Sequence, residues 1–63
     1  MINQVRHIKI YQSGKLIHEK NLVYRESIHS ILCTIYDTKE VYFCHRFGDK
    51  YVYVVDGKEI SVY

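Results

Sequence analysis

The chain contains no alanine, no proline and no tryptophan, and only three of its 63 residues are glycine. Without alanine, the strongest helix former is missing, which argues against a helix-rich fold. There is no proline to interrupt a strand ladder. Two cysteines, Cys33 and Cys44, allow at most one internal bridge. No apolar run approaches the roughly 20 residues a membrane helix needs. The first 20 residues carry Arg6, Lys9, Lys15, Glu19 and Lys20 and no apolar block, so they do not read as a secretory signal. These absences describe a soluble, cytoplasmic protein with reduced thiols.

Chemical motifs are missing as well. Neither G-x-x-x-x-G-K-[ST] nor G-x-G-x-x-G occurs, which excludes nucleotide binding by those routes. No paired short Cys or His spacing marks a structural zinc site. His29, Cys33, Cys44 and His45 can be drawn as a metal set, but Cys44 and His45 are adjacent. On a strand they point to opposite faces, so no metal ligand is assigned. Cys33 with His29 is the one local thiol–imidazole pair, with no glycine-rich loop beside it to stabilise an oxyanion. The chain reads as non-catalytic and without a cofactor.

What is present is sheet material: seven tyrosines, eight isoleucines and seven valines. Branched and aromatic side chains lose rotamer freedom on a helix but pack well on a half-buried sheet. A chain of 63 residues forms a single domain. At this size only about 60% of the unfolded surface is buried on folding, so stability is marginal. The net charge of +2 implies no partner by itself. Its distribution is uneven: residues 1–25 hold five basic groups against one acid, and residues 26–63 hold four against six.

Turn signals divide the chain. Ser13-Gly14, Gly48-Asp49 and Asp56-Gly57 each separate two β-rich runs. A two-residue turn at Ser13-Gly14 sets Tyr11 opposite Leu16, Ile10 opposite Ile17 and Lys9 opposite His18. One face of this hairpin then carries Ile8, Ile10 and Ile17; the other carries His7, Lys9, Tyr11, His18 and Lys20. In the last hairpin Tyr51, Tyr53, Ile60 and Val62 share one face, and Val52, Val54, Glu59 and Ser61 the other. Tyr24, Ile28, Ile31, Leu32 and Ile35 follow helical spacing, with Glu26, His29, Ser30, Cys33, Thr34 and Asp37 on the opposite side. A competing hairpin with a turn at Thr38-Lys39 would place Cys33 opposite Cys44.

The expected fold is α+β: a small antiparallel sheet with one helix near residues 25–36, in the order ββαβββ. The alternative is an all-β six-stranded meander or small barrel. Seven tyrosines are too many for so small a core, and tyrosine and arginine are enriched where proteins dock. Tyr36, Tyr42, Arg46, Phe47 and Tyr63 are the candidate protein-binding residues. The terminal strand Lys58–Tyr63 is expected to offer an unpaired edge for a partner's strand or for a homodimer. The functional expectation is a small protein-binding module, a regulator or inhibitor of a larger protein, of a size that viruses and mobile elements encode. The second expectation is a nucleic-acid-binding platform built from His7, Lys9, Tyr11, His18 and Lys20, extended by Arg6, Lys15 and Arg25.

Overall fold

The computed structural model describes residues 6–23 and 26–63. Tyr24, expected to open the helical face, and Arg25, expected to extend the basic platform, lie outside the described residues. The elements are β1 (Arg6–Gln12), β2 (Lys15–Leu22), α1 (Ile28–Tyr36), β3 (Val41–Phe47), β4 (Lys50–Val55) and β5 (Lys58–Val62). The order along the chain is ββαβββ, but the α+β class is corrected. Strands hold 59% of the described residues and helix 16%, so this is a mainly-β fold with one short helix laid on it. The six-strand and barrel alternatives fail too, because five antiparallel strands form an open sheet in the order β2-β1-β5-β4-β3.

Local chemistry accounts for the elements. Ser13 and Gly14 have φ of 53° and 78°, and Asp56 and Gly57 have 49° and 79°. Positive φ at both central residues is the two-residue hairpin turn whose twist matches that of the flanking strands. The helix starts later than expected, at Ile28, because Ser27 caps it: its Oγ accepts from the Ser30 N–H at 3.1 Å. It ends at Asp37, which is left-handed (φ 50°, ψ 50°), while the Thr38 N–H bonds the Cys33 carbonyl at 3.0 Å. Ile28, Ile31 and Leu32 are buried, whereas Ile35 is 36% exposed.

After the first hairpin the helix carries the chain across one sheet face from β2 to the far edge. The β3-β4-β5 meander then returns, so that β5 pairs with both β4 and β1. The terminal strand is therefore the centre of the sheet, which overturns its expected role as a free edge. Among the described residues the free edges are β2 and β3. Burying the Ile60 and Val62 side chains requires strands on both flanks, and both residues are fully enclosed. The core lies between sheet and helix: Ile8, Ile10, Leu22, Ile28, Ile31, Leu32, Val41, Tyr53, Val55, Ile60 and Val62. Tyr36 closes its rim, and its hydroxyl donates to Gln12 Oε1 at 3.0 Å.

The first hairpin also departs from the simple register. Tyr11 faces Leu16 as expected, but Ile10 faces His18 and Ile8 faces Lys20. Ile17 is the additional residue of a β-bulge, left 39% exposed. The shift moves every residue beyond it to the other side of β2. A second bulge interrupts the β3–β4 pairing between Phe43 and His45, leaving Cys44 unpaired.

Candidate functional site

The two free edges differ in chemistry. β2 carries Lys15, His18, Glu19 and Lys20 along with its bulge. Charge and bulging are the usual protections of a sheet edge. β3 reads VYFCHRF; only Val41 is buried and the other six residues are exposed. Tyr42 and Phe47 are each 62% exposed and Phe43 is 54%. The strand has one cation, Arg46, and no lysine.

Pairing assigns each side chain to a face. Tyr42, His45 and Phe47 lie opposite Val54, Val52 and Lys50, on the sheet face away from α1. The His45 and Phe47 rings are in contact, with centroids 4.2 Å apart. Phe43 faces the helix side, opposite Tyr53, and is still 54% exposed. Its ring packs on Tyr53 and Tyr51 at centroid distances of 5.3 and 6.2 Å. Burial, with the Tyr51 phenol alongside, holds the Tyr53 hydroxyl above its ordinary pKa. Arg46 folds over the Tyr51 ring at 5.0 Å, and Arg6 lies 4.7 Å from the same centroid while donating to the Tyr51 hydroxyl at 2.9 Å. The β3 edge thus runs from Tyr42 into an aromatic–arginine cluster at one end of the sheet.

The candidate docking residues separate accordingly. Tyr42, Arg46 and Phe47 share β3, with Tyr42 and Phe47 on the face away from α1 and Arg46 on the other, against Tyr51. Tyr36 is on α1, partly buried and bonded to Gln12, its phenol pKa raised by burial. Tyr63 follows β5; its backbone exchanges both hydrogen bonds with Lys9, and its ring meets Tyr11 edge-on at 5.3 Å. Phe43 and Tyr51 are not among the candidates the sequence offers, and Arg6, expected to extend the basic platform, joins this aromatic cluster instead. The pairing puts Phe43 and Tyr51 on the core side, yet Phe43 stays open to solvent.

The basic platform is divided by the bulge. His7, Lys9 and Tyr11 face away from α1, whereas His18 and Lys20 face the helix side. Glu19 replaces them beside Lys9 and bonds His7. Both ring nitrogens of His7 meet oxygen acceptors, Asn21 Oδ1 at 2.7 Å and Glu19 Oε2. The imidazolium donates from both nitrogens, so His7 is raised above its ordinary pKa of 6.5, chiefly by Asn21 and then by Glu19. Lys20 bonds Glu26 at 2.7 Å; that bond and one from the Val23 N–H lower the Glu26 pKa. Lys15 stays exposed beside the Ser13-Gly14 turn.

Concavities are shallow. One of about 470 Å³ is lined by Arg6, His7, Lys9, Arg46, Asp49 and Tyr63. One of about 270 Å³ lies between β2 and α1, against His18, Lys20 and Ile31. Among the described residues no group of three or more His, Cys, Asp or Glu could hold a metal. Cys33 and Cys44 are free thiols, on α1 and on the β3 bulge, so the competing hairpin that would set them opposite one another is not formed. No helix among the described residues is long and apolar enough to cross a membrane. No protein-family model, no curated protein and no solved structure matches the chain.

Proposed function

We propose that this chain is a small, non-catalytic protein-binding module that docks a larger protein, as its regulator or inhibitor, along the β3 edge. The observation that carries this reading is the contrast between the edges: β2 is charged and β3 is aromatic and exposed. An unpaired strand edge supplies backbone donors and acceptors to an incoming strand, and flanking aromatic rings add contact area at small entropic cost. A standard interface buries about 800 Å² per partner. That is about a sixth of the 4782 Å² this chain exposes, so docking extends from β3 onto Val52 and Val54 on the open face.

The test compares edges. Tyr42→Ser with Phe47→Ser alters side chains that are mostly in solvent, so the fold is retained, which circular dichroism checks. A protein captured by the unmodified chain should be lost by this variant and kept by Leu16→Ser on β2. Amide exchange in the complex should slow within residues 41–47. Retention by the β3 variant, or protection confined to another strand, refutes the reading. Sedimentation of the purified chain identifies whether the partner is a second copy.

A further inference from the structure

The helix and the start of β3 together build a thiol–imidazole pair that the docking surface does not use. His29 Nε2 lies 2.9 Å from the Val41 carbonyl oxygen, an acceptor only. The proton must therefore be on Nε2, and Nδ1 carries the lone pair. That Nδ1 faces Cys33 Sγ at 3.8 Å, one helical turn along. A backbone carbonyl thus orients the base, and the base faces the thiol, the relation that activates a cysteine nucleophile. Cys33 is partly exposed at the rim of the core, so a small reagent can reach it. Cys44 is more exposed and its neighbour His45 is turned to Phe47.

We propose that Cys33 is a modification site for low-molecular-weight disulfides, activated by His29. Nδ1 takes the thiol proton, and the Cys33 thiolate attacks one sulfur of the reagent's disulfide. A protein–reagent S–S bond forms as the reagent's own S–S bond breaks. The departing thiolate takes the proton from the imidazolium, so one thiol is released for each one consumed and no external oxidant is needed. The reaction is stoichiometric and leaves a covalent adduct on α1.

Oxidised glutathione is the probe, and the two cysteines of one molecule provide the internal comparison. Mass spectrometry of the intact and digested protein at neutral pH should find the adduct on Cys33 about tenfold or more faster than on Cys44. His29→Ala should bring the Cys33 rate down to that of Cys44, while Cys44→Ser should leave it unchanged. Equal rates in the unmodified chain, or a Cys33 rate indifferent to His29→Ala, overturns the proposal. The unmodified protein gives a reading independent of any variant's folding: long-range ¹H–¹⁵N spectra of the His29 ring should show the proton on Nε2. A proton on Nδ1 instead overturns the assignment.

Discussion

Two isoleucine truncations distinguish the observed sheet from the one that alternation alone would build. Ile60 is fully buried in the central strand, between Gln12 on β1 and Tyr53 on β4. Ile60→Ala removes three carbons from a site enclosed on every side. At about 0.8 kcal/mol per buried methylene, plus a cavity the sheet cannot collapse into, the cost is about 3 kcal/mol. Ile17→Ala makes the same chemical change at the bulge, where the side chain is 39% exposed and leaves no cavity. Its cost is about 1 kcal/mol. A domain of this size has a total stability of about 3 to 9 kcal/mol, so Ile60→Ala brings it to the margin of folding while Ile17→Ala does not. Urea unfolding followed by circular dichroism reads both. With a slope near 1 kcal/mol per molar urea, the midpoints should fall by about 3 M and about 1 M. In the unbulged register Ile17 faces Ile10 in the core, and the two truncations would cost the same. Equal losses would refute both the bulge and the division of the basic residues that follows from it.

Other consequences can be measured directly. His7 has a raised pKa, so its contribution to stability is fully present below pH 6.5 and is lost as pH rises through the higher folded value. The difference in melting temperature between the unmodified chain and His7→Ala should therefore shrink as the pH rises above 6.5; a constant difference contradicts the Asn21–His7–Glu19 contact. Ser27→Ala removes the acceptor for the Ser30 N–H and should cost about 1 kcal/mol, with a matching loss of helical signal on heating. Gly57→Val places a branched residue at a φ of 79° and should cost more than about 1 kcal/mol, seen as a lower urea midpoint, although no atom lies within 4 Å of its added Cβ.

The parts of the fold that follow local rules were legible. Asp56-Gly57 and Ser13-Gly14 specify tight turns because few other residues accept positive φ. The helical spacing of Ile28, Ile31 and Leu32 outweighs the modest helix propensity of the two isoleucines, since tertiary burial overrides a few tenths of a kcal/mol per residue. The two faces of the β4–β5 hairpin also follow from alternation. The class does not follow: nine helical residues beside five strands make a mainly-β fold, and periodicity alone carries the helix through Glu26 and Ser27, whereas the Ser27 cap starts it at Ile28. Tyr42, Arg46 and Phe47 could be named from residue type, but their neighbour Phe43 could not. It lies on the core side of the sheet yet stays exposed, which is decided by tertiary packing.

Residue chemistry by itself determined the turns, the alternating faces of β4 and β5 and the existence of a second layer, because these depend on neighbours within a few positions. Strand order, the bulge at Ile17 and the free edge at β3 were decided only in three dimensions. The last strand lies at the centre, paired with β1 from Ile10 to Gln12 on one flank and with β4 from Tyr51 to Val55 on the other, and its Ile60 and Val62 are fully buried there. Such non-local burial, absent from any short window of sequence, also turns His18 and Lys20 away from Lys9 and brings His29 to the Val41 carbonyl.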